Sequence, residues 1–205
     1  MAATKAQVRA EIRARRAARH ASGTGASGTE AAGRLLAAAR SAGLLDVVVA
    51  GIPPCVAAYI PSAGEPDVTA IVRSVQAAGG RVLLPIPHPA RVLAWAFDDG
   101  RYVRDPRLPV SSPAGEIVGS GAAGLLEQGV RLVLVPALAV DRAGTRLGQG
   151  GGYYDTLLTR LDPGIRAVAV VDEAELRPAG SLPRDEHDQC VGWALTPSGL
   201  VALGV

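Results

Sequence analysis

The sequence is short of several features that settle a protein's class at a glance. It has two cysteines, Cys55 and Cys190, far apart and with no neighbouring Cys or His at a ligand spacing. That excludes a disulfide scaffold and a cysteine-based zinc site. Aromatic residues make up 3% of the chain: two Trp, four Tyr and one Phe. A surface that binds single-stranded nucleic acid needs rings interleaved with cations. The net charge of +2, with 20% charged residues, rules out both a disordered acidic chain and a cationic coat, so no nucleic-acid partner is expected. Apolar runs such as 130–140 are interrupted by Arg131 and Pro136 and fall short of the roughly 20 residues a membrane span requires. No transmembrane helix and no membrane partner are expected. The N-terminus has no apolar core of a secretory signal, so a reducing cytoplasm is the expected location. Its Arg-rich, acid-poor opening also has the composition of an organelle transit peptide, a reading that would remove residues 1–20 from any site.

What is present is a chain of 205 residues, 48% of them hydrophobic, enough to bury one sizeable core. A single domain over 1–205 is expected, as a monomer. Its basicity is local: within residues 1–20, Lys5, Arg9, Arg13, Arg15, Arg16 and Arg19 stand against Glu11, a net of +5 that leaves −3 on the rest. On a helix Lys5, Arg9, Arg13 and Arg16 share an arc of about 80°, with Val8 and Ile12 beside it. One face can dock while its neighbour presents cations; the plain alternative is a solvated basic face. Of 21 basic residues, Lys5 is the single lysine. A compact ammonium binds phosphate differently from a planar guanidinium, so a site needing a point charge would resist drift to Arg.

The pattern predicts helices over about 4–20 and 30–42, separated by a Ser/Gly/Thr loop at 22–29. Apolar runs follow at 45–50 and 55–60, then a helix over 67–78 stopped by Gly79-Gly80, and strands at 81–84 and 91–97. Residues 98–120 are rich in Pro, Gly, Ser and charge and are expected to form a long surface loop. A wholly apolar strand, Leu132 to Val135, leads through a glycine-dense loop to a helix over 153–161, with further strands at 166–171 and near 190–195. The alternation predicts an α/β sheet covered on both faces.

The chemistry is concentrated in the stretch from Asp141 to Asp155, which follows the most apolar strand and opens a helix, the place where open α/β sheets bind ligands. Gly148, Gly150, Gly151 and Gly152 fall within five positions, letting backbone N–H groups approach an anion, with the following helix favouring negative charge. No Gly-Lys-Ser/Thr follows, and the dinucleotide fingerprint is also absent. Arg146 precedes the run; Tyr153 and Tyr154 end it, so that one ring can stack on a heterocycle while the other packs inward. Asp155 suits either the start of a helix or a hard divalent cation.

The block Asp141-x-x-Gly-x-Arg-Leu-Gly-x-Gly-x-Gly-Tyr-Tyr-Asp155 resembles the signature of the 5-formyltetrahydrofolate cyclo-ligase (5,10-methenyltetrahydrofolate synthetase) family. Lys5-x-x-x-Arg9, Tyr59-Ile60-Pro61-Ser62-Ala63-Gly64-Glu65, Leu83-Leu84-Pro85 and Glu186-His187-Asp188 extend the likeness over nearly the whole chain. The resemblance implies a three-layer α/β/α sandwich with a mostly parallel sheet, similar to sugar-isomerase and CoA-transferase domains. It implies an enzyme that uses ATP and Mg²⁺ to convert 5-formyltetrahydrofolate to 5,10-methenyltetrahydrofolate. By the same resemblance, ATP would contact Lys5, Arg9, Arg146 and the turn Leu147, Gly148, Gln149, Gly150, Gly151, Gly152, Tyr153 and Tyr154. The folate would contact Ile60, Glu65, Gly150, Gly152 and Tyr153, and the metal Asp155 and Asp188. Arg146, Tyr153 and Lys5 are expected to carry the chemistry.

That chemistry is consistent with the residue types. A formamide cyclises poorly because its oxygen must leave as hydroxide; phosphorylating that oxygen makes it a leaving group, and the protein's work is positioning and charge neutralisation. Three positions depart from the resemblance. Gln149 stands where relatives often have a basic residue, which predicts a less positive phosphate pocket. Leu108 or Pro109 takes the place of a loop aromatic, with Tyr102 the nearest ring. Gly192 replaces a common acid, leaving Asp188 as the metal ligand of that segment. His187 and the two Trp read as structural. Two other function classes compete with the enzyme: a non-catalytic folate or nucleotide-binding regulator on the same scaffold, and an RNA-binding protein using the basic first helix.

Overall fold

The computed structural model describes residues 3–22, 28–46, 54–104 and 111–205. A stretch free of Gly and Pro and rich in Ala and Arg forms α1 (Lys5–Ser22), followed by α2 (Gly28–Ser41). Of the expected loop at 22–29, Ser22 closes α1 and Gly28 and Thr29 open α2, earlier than the expected start at 30; residues 23–27, and most of the apolar run at 45–50, lie outside the described residues. Next come β1 (Cys55–Ala57), α3 (Thr69–Ala77), β2 (Arg81–His88) and β3 (Val92–Phe97). Then follow β4 (Tyr102–Arg104), β5 (Ser111–Pro113), β6 (Ile117–Ser120), α4 (Gly121–Glu127) and β7 (Leu132–Pro136). The chain ends through β8 (Ala139–Asp141), β9 (Arg146–Leu147), α5 (Tyr153–Leu158), β10 (Arg166–Val170), β11 (Leu176–Arg177), β12 (Trp193–Thr196) and β13 (Gly199–Ala202).

Eight strands form one sheet in the order β13-β12-β10-β7-β1-β2-β3-β6. The pairs β12–β10, β10–β7, β7–β1 and β1–β2 are parallel, and the three outer pairs antiparallel. The apolar β7 lies in the middle because it can be covered on both sides. Leu132 and Leu134 pack with Leu35 of α2 and Ile71 and Val75 of α3. Val133 and Val135 pack the other way, with Leu125 of α4 and Leu157 of α5. Each such burial contributes about 1.5–3 kcal/mol. This is the expected α/β sheet with helices on both faces. No helix among the described residues is long and apolar enough to cross a membrane.

Several expectations need correction. The described part of 98–120 is not a bare loop: β4 and β5 pair antiparallel and β6 closes the sheet edge. Strands of three or four residues among Pro and Gly carry too little periodicity to read. The helix at 153–161 stops at Leu158, since Asp162-Pro163-Gly164 turns the chain toward β10. A further strand, β13, follows the one expected to be last. The glycine-dense loop begins as the hairpin β8–β9, joined to β11 in a small separate sheet. Leu108 and Pro109 lie outside the described residues.

Candidate active site

The site forms where segments leave the carboxyl ends of β1, β2 and β7, as expected for an open α/β sheet. At its base, Asp141 is fully buried. Its Oδ1 accepts N–H bonds from Ala143 and Thr145 (both 3.0 Å) and its Oδ2 one from Leu182 (3.3 Å). Asp141 therefore spends its charge on holding the tip of the β8–β9 hairpin and offers nothing to a ligand.

From that hairpin projects Arg146, whose side chain is 3% exposed. Its Nη2 donates to Asp155 Oδ1 at 2.9 Å and its Nη1 to the Pro136 carbonyl at 3.4 Å, while its guanidinium stands 5.9 Å from the centre of the Tyr154 ring. Its Nε is buried with no hydrogen-bond partner, as are the Tyr154 hydroxyl and Arg16 Nη1. An unsatisfied buried donor costs about 1–3 kcal/mol, so these are unusual atoms to leave bare. Burial pushes the Tyr154 phenol well above its ordinary pKa, so it stays protonated and able to donate.

The glycines of the turn have a specific reason to lack side chains. A methyl group on Gly148 would stand 2.6 Å from Arg146 Nη1, one on Gly150 3.5 Å from Arg9 Cζ, and one on Gly152 3.2 Å from Arg91 Cδ. Three arginines, from β9, α1 and the β2–β3 turn, thus lie against alternate glycines. Gly150 and Gly152 also have φ of 105° and 74°, a region costly for other residues. Tyr153 folds back along the turn, its ring 3.1 Å from where a Gly151 side chain would begin. The short α5 has Gly152 at its N-cap without a side-chain cap; its six residues make it a weaker source of anion affinity than the expected longer helix.

Helix α1 closes one wall. Val8 and Ile12 bury against Leu138, Leu147 and Leu182, and the adjoining cationic arc engages its whole length. Lys5 Nζ donates to Asp185 Oδ2 at 2.7 Å and to Asp188 Oδ2. Arg9 Nε donates to the Gly148 carbonyl at 2.9 Å, and Arg13 to the side chain and carbonyl of Gln149 at 2.9–3.2 Å. Arg16 is buried in a two-pronged pair with Glu175, both bonds 2.8 Å, and caps the Ala137 carbonyl. The cationic face is therefore a docked face, and the reading of it as a solvated stripe is wrong. Arg13 places its guanidinium on Gln149 from the helix.

The loop after β1 carries the expected folate side. Tyr59 donates from its hydroxyl to the Pro66 carbonyl at 2.7 Å and stiffens the loop. Glu65 accepts the Ser62 N–H at 3.0 Å through Oε2 and the Gln149 amide at 3.2 Å through Oε1. Ile60, half-buried, packs on the sheet core. Glu65 and the glycine turn are thus tied together.

The two expected metal ligands have different surroundings. Asp188 lies with Asp185 and His187 in a group whose ligand atoms are all within 4.8 Å of one another, a mainly oxygen set that suits a hard divalent cation. Asp155 is outside that group, bonded to Arg146 and, at 3.5 Å, to the Gln189 N–H. Although burial raises it, the Asp188 carboxyl is held below its ordinary pKa by Lys5 and the Asp185 N–H. A side chain at Gly192 would meet nothing within 4 Å. Tyr102 is exposed, with its hydroxyl on Asp98 at 2.8 Å.

Arg91 is the residue that sequence reasoning missed. It sits in the short turn between β2 and β3, where Ala90 and Arg91 both have positive φ, 64° and 59°. These are the two non-glycine residues so placed among the described residues, and such positions cost about 1–3 kcal/mol each. No motif links the two segments, and nothing in the local sequence points at Gly152.

Comparison with known proteins shows the family and the fold. The model of the 5-formyltetrahydrofolate cyclo-ligase family matches residues 1–197. The chain is 35% identical over 161 residues to a 5-formyltetrahydrofolate cyclo-ligase of Mycolicibacterium smegmatis, covering 72% of this chain and 76% of that one. It is 28% identical over 147 residues to the Escherichia coli K12 protein of the same name, covering 70% and 78%. The fold matches that of Aquifex aeolicus 5,10-methenyltetrahydrofolate synthetase with a TM-score of 0.69 at 23% identity, over 97% of this chain and 92% of that one. A Mycoplasma pneumoniae synthetase matches with a TM-score of 0.64 at 13% identity, over 94% and 98%.

Proposed function

This chain belongs to the 5-formyltetrahydrofolate cyclo-ligase family of ligases, and from that premise we propose that it closes 5-formyltetrahydrofolate to 5,10-methenyltetrahydrofolate at the expense of ATP. The observation that carries this reading is the glycine turn with arginines against Gly148, Gly150 and Gly152, a cation-lined strip whose charge suits a polyphosphate.

In the proposed reaction the formyl oxygen attacks the γ-phosphorus and ADP leaves. N10 then attacks the formyl carbon, the carbon–oxygen bond breaks with loss of phosphate, and N10 gives up its proton. Substrate atoms act as nucleophiles in both steps, so no protein nucleophile is required. Lys5, Arg9 and Arg146 neutralise charge along the turn through Tyr154, and Tyr153 lies between nucleotide and folate. Ile60 and Glu65 receive the folate, which also contacts Gly150, Gly152 and Tyr153. The buried Arg146 Nε and Tyr154 hydroxyl, both lacking a partner, are donors suited to developing oxyanion charge. Asp188 and Asp155 would hold Mg²⁺, which supplies electrostatic neutralisation of the phosphates. Lys5 already bonds Asp188, so the ammonium and the metal would share that carboxylate. The protein works as a single domain and, on this reading, as a monomer in the cytoplasm.

The test is to mix purified protein with 5-formyltetrahydrofolate and MgATP and follow methenyl absorbance. Wild type should form product only when all three ligands are present. Arg146→Ala and Asp155→Asn should each lose at least 100-fold in kcat/KM while keeping native circular dichroism. Full activity in either variant removes that residue from its role. Tight folate binding without ATP hydrolysis in the wild type would replace the enzyme by a regulator.

A further inference from the structure

We propose that Arg91 is a further oxyanion-binding residue of the glycine turn, contacting a phosphate of the nucleotide or a carboxylate of the folate at the Gly152 end. The inference deepens the functional reading above and rests on it for the identity of the two ligands. The family resemblance did not assign Arg91 a role, and it lies 55 positions upstream of Arg146 in an unrelated turn.

Two features converge on it. The first is placement: a methyl group at Gly152 would stand 3.2 Å from Arg91 Cδ and 3.3 Å from Nη1, so the guanidinium lies along the same turn that Arg146 and Arg9 line. The second is its freedom. Arg146 is neutralised by Asp155 and Arg16 by Glu175, whereas Arg91 has no ion pair or hydrogen bond among the described residues and is exposed. A cation beside a ligand turn with its fork of donors uncommitted is poised for an oxyanion, since guanidinium matches phosphate and carboxylate oxygens two at a time. The positive φ of Ala90 and Arg91 belongs to the tight β2–β3 hairpin, whose turn favours that conformation, and the hairpin tip is what carries Arg91 to the turn. The geometry also gives Gly152 its reason: any side chain there would push Arg91 off the turn.

Arg91→Gly provides the test, because glycine adopts φ of 59° without strain and the variant should fold at least as well as wild type. Ala90→Gly is the control, relaxing the same turn while keeping the guanidinium. Wild type and both variants are titrated calorimetrically with sodium tripolyphosphate, with MgATP and with 5-formyltetrahydrofolate. Loss of one charge-assisted partner corresponds to about a 10- to 100-fold weaker Kd. Weakening by Arg91→Gly of tripolyphosphate and MgATP, with folate unaffected, assigns the contact to phosphate. Weakening of folate alone assigns it to a folate carboxylate. In either case Ala90→Gly should stay within about twofold of wild type. The proposal is overturned if Arg91→Gly binds all three ligands as wild type does, or if Ala90→Gly loses as much as Arg91→Gly. Should wild type bind tripolyphosphate but no folate, the functional reading fails, and the tripolyphosphate arm alone still decides for or against Arg91.

Discussion

At Gly148 the cost of one methyl group can be stated in advance. A Cβ there would lie 2.6 Å from Arg146 Nη1, closer than such atoms approach, and the Pro136 carbonyl and Asp155 leave the buried guanidinium no alternative seat. Gly148→Ala should therefore displace Arg146 from the turn. We expect KM for ATP to rise about 10-fold or more, the loss of one charged contact, with Tm within a few degrees of wild type, checked by steady-state kinetics and a thermal melt; an unchanged KM would show that the turn does not read the nucleotide through Arg146. The residue scale also shows how far the site is legible in sequence. Arg146, Lys5, Arg9 and Glu65 carry motifs of their own and emerge near one another. Arg13 was visible as a member of the cationic arc but not as the partner of Gln149. Arg91 was invisible, because its relation to Gly152 is created by the β2–β3 hairpin turn, which nothing in the local sequence links to that glycine. Asp141, part of the same block, is structural, and only its three hydrogen bonds reveal that.

At the scale of elements, α1 is where fold and site meet. Its apolar edge, Val8 and Ile12, buries against Leu138, Leu147 and Leu182, while Arg16 with Glu175 fixes its middle in a buried pair. Buried pairs of this kind set geometry more than they add stability. The tie at its N-terminal end is Lys5 with Asp188. Burial lowers the Lys5 pKa, but its bonds to Asp185 and Asp188 more than offset this and the net shift is upward; Asp188 is shifted downward. A carboxyl with a depressed folded pKa contributes stability above its unfolded value near 3.8 and loses it as pH falls through the folded value; the ammonium contributes below 10.5 and loses it as pH rises through the raised one. The tie is thus intact across the neutral range. The free-energy gap between wild type and Asp188→Asn, followed by denaturant unfolding, should be constant from pH 5 to 8 and shrink below about pH 4. A gap independent of acid would mean that Asp188 holds Lys5 without its charge. The helix itself was readable because residues 5–20 contain neither Gly nor Pro. By contrast α4 was not, since Gly121 and Gly124 argue against a helix; Gly124 is needed because a Cβ there would strike the Gly119 backbone at 2.8 Å, so the helix is held close to β6 by packing that local sequence does not encode.

The whole molecule draws its site from α1, the loop after β1, the β2–β3 turn, the β9–α5 segment and the 185–188 loop. Lys5 and Asp185 in contact are 180 positions apart. A ligand that bridges these segments cannot bind the unfolded chain, so its binding free energy adds to global stability by mass action. At a concentration about 100 times Kd the gain is about 2.7 kcal/mol, which for a chain of this length corresponds to roughly 5–10 °C in Tm. The two halves of the site are separable in such an experiment: MgATP should lose its stabilisation in Arg146→Ala and keep most of it in Glu65→Ala, whereas 5-formyltetrahydrofolate should show the reverse. The link between halves is the Gln149 amide, which accepts from Arg13 and donates to Glu65. Both ligands together should therefore raise Tm by more than the sum of their separate effects in the wild type, and only by that sum in Gln149→Ala, where the bridge from helix to folate loop is cut. Strict additivity in the wild type, measured at fixed multiples of each Kd, would show that nucleotide and folate occupy this fold independently, with Gln149 a surface bond and no more.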